Sequence, residues 1–179
     1  MRRLSLSLAP LFVAAMLLGC SNTNKTPDVT DNVRKALDQA GFKDVSIKQD
    51  RDKGVVTLTG TVPTESDKAQ AESIAKANAE SQVVSDEISV RPPGNESEAK
   101  TVESDIDKAI DKNVDATLVK HRLKKGVSYD VKNGVVTLKG EVPSQTKRQQ
   151  VENLVKSVPN VQQVVNELEV KNQRATATS

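Results

Sequence analysis

The sequence predicts an α+β protein made of two tandem α-β-β-α-β domains, each a three-stranded mixed sheet covered on one face by two helices. Three observations predict this. GVVTLTGTVP, from Gly54 to Pro63, recurs as GVVTLKGEVP, from Gly134 to Pro143. The offset of 80 holds without a gap from 54–90 to 134–170, and 15 of those 37 positions are identical. Within each copy the apolar spacing changes from every second residue to every third or fourth, as a strand followed by a helix requires.

The elements follow in order. Val56, Leu58 and Val62 alternate with threonines, and Val136, Leu138 and Val142 repeat the pattern, so each run predicts a half-buried strand. Gly60 and Gly140 interrupt these strands at equivalent places and predict a bulge or a close helix crossing. Upstream, Val45 and Ile47, and Val127, Tyr129 and Val131, form shorter alternating runs. DRDKG and KNG join them to their partners as hairpins. After Pro63 and Pro143, Thr64 and Ser144 are suited to cap a helix. Val151, Leu154, Val155 and Val158 make one apolar stripe. Ala71, Ile74, Ala75 and Asn78 make a weaker one, which predicts a looser first core. Closing strands carry Val84, Ile88 and Val90, echoed by Val164, Leu168 and Val170. A leading helix precedes each hairpin. The first spans Asp31 to Ala40, with Val33, Ala36, Leu37 and Ala40 inward and Gly41 as its stop. The second runs from Ser104 to Lys125 and divides into one helix or two, because KNVDA at its centre is a poor helix former. A right-handed crossover then sets the third strand parallel to the second.

The chain opens with Arg2 and Arg3, followed by an apolar run from Leu8 to Leu18. Eleven helical residues cover about 16 Å, far short of the ~30 Å bilayer core, so the run reads as a secretory signal. It ends Leu17-Leu18-Gly19-Cys20, which resembles a bacterial lipobox, with Cys20 as the lipidated first residue. Cys20 is the one cysteine of the chain, so no internal disulfide can form. Ser21 follows it where an aspartate would resemble an inner-membrane retention signal, so the expected location is the outer membrane, on its periplasmic face. The expected layout is signal 1–19, lipidated tether 20–30, first domain 31–90, linker 91–101, second domain 102–171 and disordered tail 172–179.

Composition narrows the function. From Cys20 onward 24 basic residues balance 24 acidic ones, unlike the basic excess of a general nucleic-acid binder. Phe42 and Tyr129 are the aromatics of the body, too few for stacking platforms. One histidine, His121, gives neither a Cys-His pair nor a histidine-based metal site, and no GK[ST] follows the glycines. No cofactor and no enzymatic activity are expected.

The GVVTLxGxVP core, the helix after the proline and the closing VVNELEV resemble the BON domain (bacterial OsmY and nodulation). Two such domains behind a lipobox resemble the dual BON-domain outer-membrane lipoprotein family. The resemblance covers about 30–90 and 102–171. It implies a non-enzymatic module of the cell envelope that supports outer-membrane integrity, in some members by binding anionic phospholipid. A different implied role is a periplasmic stress or chaperone-like factor that contacts outer-membrane proteins; small-ion binding ranks below both.

LVKHRLKK stands out within the body. Lys120, Arg122, Lys124 and Lys125 carry four of the second copy's twelve basic charges with no acid among them. Leu118, Val119 and Leu123 add apolar area, so the seven residues form a candidate phospholipid contact. The first copy holds 8 basic and 11 acidic residues, the second 12 and 10. The same segment also reads as an ordinary helix end, with lysines at the C-terminus and leucines in the core.

Overall fold

In each copy an antiparallel hairpin takes a third strand in parallel, and two helices cover one face. A computed structural model describes residues 25–171. The expected signal, Cys20 and the expected tail lie outside the described residues. The first domain is α1 (Thr30–Gln39), β1 (Val45–Asp50), β2 (Val55–Val62), α2 (Glu65–Asn78) and β3 (Val83–Val90). The second is α3 (Glu96–Lys120), β4 (Val127–Lys132), β5 (Val135–Val142), α4 (Gln145–Lys156), β6 (Gln163–Asn166) and β7 (Glu169–Val170). The strand orders are β1-β2-β3 and β4-β5-β6, with β7 continuing beside β5.

The alternating residues build the cores. Val56, Leu58, Val62, Val84 and Ile88 meet Val33 and Leu37 of α1 and Ala71 and Ala75 of α2. Val136, Leu138, Val142 and Leu168 meet Ile110, Val114 and Leu118 of α3 and Val151 and Val155 of α4. Burying each such leucine or valine contributes about 1.5–3 kcal/mol. Ala71 and Ala75 of α2 are as fully buried as Val151 and Val155, while Asn78 is half-buried where Val158 is buried. The Thr64 and Ser144 hydroxyls accept from the N–H groups of Asp67 and Lys147, as the sequence predicts.

Several elements differ from expectation, each for a local reason. Ala40 is exposed, and Val29 instead closes the stripe of α1 from below. Residues 26–29 are docked rather than a free tether: the Pro27 carbonyl accepts from the side-chain amides of Gln49 and Gln82, at 2.7 and 3.0 Å. The second leading helix is continuous through KNVDA and begins at Glu96, inside the expected linker. Ile110, Val114 and Leu118 fall on one buried face. Their burial outweighs propensity penalties of under about 0.7 kcal/mol per residue. Gly60 marks neither a bulge nor a helix crossing: it is the last partner of β1, and the β2–β3 register runs through it unbroken. Its φ is +124°, and a Cβ there would fall on the Asp44 carbonyl oxygen. Gly140 meets the Gly126 carbonyl in the same way. The last strand of the second copy is divided in two. Arg148 donates from Nε to the Leu168 carbonyl at 3.0 Å and from Nη2 to that of Asn166 at 2.7 Å, holding the chain where it leaves the ladder.

The domains are joined through the side of each sheet turned away from its helices. Val55, Val135 and Val165 bury one another there. At the free edge of β3 the Gln163 side chain takes the place of a neighbouring strand. Its Nε2 donates to the Val84 carbonyl at 2.6 Å, and its Oε1 accepts from the Asp86 N–H at 3.0 Å. Asn133 and Gly134 form the β4–β5 turn with φ of 49° and 78°, the left-handed pair that a two-residue hairpin favours. Both turn N–H groups donate to the Asp107 carboxylate of α3, and Asn133 Nδ2 donates to the Glu87 carbonyl of the first domain at 2.6 Å. Lys132 pairs with Glu87 at 2.9 Å.

Candidate functional site

The basic segment is the end of α3 and the turn into β4. Thr117, Leu118 and Val119 carbonyls accept from the N–H groups of His121, Leu123 and Arg122, which closes the helix. Leu123, just past the turn, packs into the core with Leu118. The first domain does the same, with Ala36, Leu37 and Asp38 accepting from Ala40, Phe42 and Gly41. Arg122 therefore occupies the position of Gly41. Both are left-handed, Gly41 at φ +89° and Arg122 at φ +56°. Glycine adopts that conformation freely, whereas a residue with a Cβ loses roughly 1–2 kcal/mol.

The seven candidate residues separate into two groups. Leu118 and Leu123 lie in the core and present nothing to solvent. Val119, Lys120, Arg122, Lys124 and Lys125 are exposed, Val119 by 56%. Lys124 is engaged: it pairs with Asp115 and lies 5.0 Å from the centre of the Tyr129 ring. The Tyr129 hydroxyl donates to the Asp111 carbonyl at 3.0 Å, and burial, with the charges of Asp111 and Asp115, pushes its phenol up to about 12. Lys120, Arg122 and Lys125 have no ion-pair partner among the described residues. Beside them a shallow, largely apolar groove of about 780 Å³ is lined by His121, Thr146 and Leu154 and by the side chains of Gln145, Gln149, Gln150 and Asn153.

The surface therefore presents three unpaired cations and one exposed valine, with uncharged donors alongside. That chemistry suits a dispersed anionic surface better than a single buried ligand. Sequence reasoning missed the left-handed arginine, although aligning Arg122 with Gly41 at an offset of 81 would have found it. No group of three metal-ligating side chains occurs among the described residues, and no helix there is long and apolar enough to cross a membrane.

Fold and site together define a duplicated α-β-β-α-β module with one basic helix end. The BON domain family model matches residues 25–92 and 106–172, and the chain belongs to that family. It is 31% identical over 146 residues to Osmotically-inducible protein Y of Escherichia coli (strain K12), covering 80% of this chain and 71% of that protein. It is 32% identical over 145 residues to an uncharacterized protein in the gshII 5' region of Anaplasma centrale, covering 79% and 92%. A solved structure of CdsD, a structural protein of the type III secretion system of Chlamydia trachomatis, is 14% identical with a TM-score of 0.35, covering 80% of this chain and 92% of that one.

Proposed function

We propose that the protein is an envelope lipoprotein, held at the periplasmic face of the outer membrane through Cys20. Its second domain contacts anionic phospholipid headgroups, and it supports outer-membrane integrity as a non-enzymatic binding module. Arg122 is the observation that carries this reading. A charged residue in a strained position, where the sister domain uses glycine, points to a role outside folding. Val119, Lys120 and Lys125 accompany it on the same helix end. Near an anionic surface each basic side chain contributes about 1 kcal/mol. Lipid attachment raises the local concentration of such contacts, so they select a place on the membrane rather than hold the protein there.

Vesicle co-sedimentation tests this, using phosphatidylglycerol-containing and pure phosphatidylcholine vesicles. Binding is expected to require the anionic lipid. The triple change Lys120→Gln, Arg122→Gln, Lys125→Gln should weaken it on the order of a hundredfold, from about 3 kcal/mol. Equal binding to both vesicles, or no effect of the triple change, sinks the reading.

A protein-contact role, chaperone-like toward outer-membrane proteins, draws on a separate observation. Val102 and Ile106 are exposed on the first half of α3, by 57% and 40%. They border a groove with Val90 and Pro92. Crosslinking in cells from position 102 would yield a dominant protein adduct on that reading and lipid alone on the first.

A further inference from the structure

The two domains lie in opposite directions, as three contacts between them fix. Gln163, level with Val135 at the start of β5, meets β3 at Val84 and Asp86, which are level with Val56 and Leu58 of β2. Asn133, ahead of β5, meets Glu87, level with Thr59. Glu169, level with Glu141 near the end of β5, pairs with Lys53, just ahead of β2. The end of β5 therefore lies beside the beginning of β2.

Two features meet at that end of the molecule. The carbonyl of Gly126, where the basic turn closes, accepts from the Glu141 N–H at 2.9 Å, so the end of α3 sits at the end of β5. At the beginning of β2 the segment ahead of α1 is fastened. The Thr26 N–H donates to the Arg51 carbonyl at 2.9 Å, and Arg51 Nε donates to the Thr26 carbonyl at 2.8 Å. Gln49 and Gln82 hold the Pro27 carbonyl, and Gln49 Oε1 also accepts from the Val29 N–H at 3.2 Å. The second copy has Val131 at the position of Gln49, so this amide clasp belongs to the first domain alone. Cys20 stands five positions before Lys25, a reach of at most about 18 Å.

We propose that this shared end faces the lipid surface, so that the anchor at Cys20 and the cations of α3 engage the same membrane. The orientation rests on the lipid reading above and adds to it a positioning role for the clasp at Pro27. Charge decides which domain touches the lipid. Around the clasp Asp28, Asp31, Asp50, Asp52 and Glu80 outweigh Lys25, Arg51 and Lys53, so the first domain is not drawn to an anionic surface. Around the end of α3, Asp115, Glu141 and Glu169 are each paired with a lysine. Lys120, Arg122 and Lys125 have no ion-pair partner among the described residues. The molecule thus rests on its second domain while the anchor holds the first. Val102 lies about 27 Å back along α3 from Lys120, which carries the groove beside Val102 and Ile106 away from the surface.

Energy transfer to headgroup-labelled lipid tests this. The chain from Cys20 onward is coupled through its one thiol to a maleimide lipid, and a dye is clicked to an azido residue at position 102 or 116. Both positions are exposed, and they lie about 21 Å apart on one helix. In vesicles containing phosphatidylglycerol, transfer from 116 should exceed that from 102 about twofold, given that spacing. Gln49→Val and Gln82→Ala, singly and together, should shrink the difference, since they lengthen the free tether. Equal transfer from the two sites, greater transfer from 102, or a difference untouched by all three clasp variants overturns the proposal. Failure of the lipid reading shows elsewhere: the uncoupled body then has no preference for anionic vesicles in co-sedimentation. Transfer from 116 still exceeds that from 102 in that case, because the clasp alone sets the order.

Discussion

The first domain closes its leading helix with a glycine and the second with an arginine, although the hydrogen bonds around the two ends are the same. Other paired positions divide in the same manner. Asp86 lies where the second domain has Asn166, and Glu80 where it has Asn160. Asn166 donates to Glu152 at 2.8 Å. Asp86, 7% exposed, faces the equivalent Glu72, and burial holds its carboxyl above the ordinary range against the opposing Ile88 N–H and the charge of Lys68. Duplication has thus preserved the ladder, caps and core while exchanging chemistry at single positions. Each exchange can be reversed.

The largest expected effect tests whether the two cores are equivalent. Leu58→Ala and Leu138→Ala remove matched, fully buried side chains. Each should cost about 2–5 kcal/mol in urea unfolding. If the alanine-rich α2 leaves the first core looser, as the sequence suggests, Leu58→Ala will fall at the lower end of that range.

Next comes the bond between domains. Gln163→Ala leaves the Val84 carbonyl and the Asp86 N–H without partners and should cost about 1–3 kcal/mol. A single unfolding transition should also separate into two. If one transition persists with unchanged stability, the clasp contributes nothing.

Asp86→Asn should stabilise the first domain by about 1–2 kcal/mol at neutral pH, because the amide can donate to Glu72 as Asn166 does to Glu152. The raised carboxyl value fixes the sign. The folded state holds that proton more tightly than the unfolded chain. The contribution of this carboxyl to stability is therefore fully present below about pH 3.8 and is lost as pH rises through the folded value. The advantage of the substitution should accordingly shrink at the acid end of a pH series of denaturation curves.

Arg122→Gly should raise stability by about 1 kcal/mol while weakening anionic vesicle binding roughly fivefold. Gly41→Arg should lower stability by a similar amount and add no binding. The smallest expected effect is at Glu80, left-handed at φ +54°. Glu80→Asn should gain roughly 0.5 kcal/mol, since asparagine tolerates that conformation better, as at Asn160.

The repeat, the period change and the capping residues made the domain architecture legible, because each records a local backbone requirement. The length of α3 was not, since Lys112-Asn113-Val114-Asp115-Ala116 is weak by propensity and helical through the burial of Val114. The exchange of Gly41 for Arg122 lies outside the gapless repeat, at an offset of 81 rather than 80, so only a shifted alignment pairs the glycine stop with the arginine. The contact between sheets did leave a trace. Strict alternation fails at Val55-Val56, Val135-Val136 and Val164-Val165, where adjacent valines point to opposite faces and both faces are covered. The threonines and lysines around them read as a solvated face. Nothing in one strand reveals that a second polar face lies opposite.

The Gln163 clasp has a consequence for how the chain comes into being. The backbone groups it covers on β3 precede it by up to 79 residues. At about 5–20 residues per second, synthesis leaves that strand edge bare for roughly 4–16 s after Val84 is made. A bare edge is a template for pairing with any neighbouring chain. The first domain is thus the earlier to fold and the later to be made safe, and a nascent copy truncated before Gln163 should be prone to aggregate.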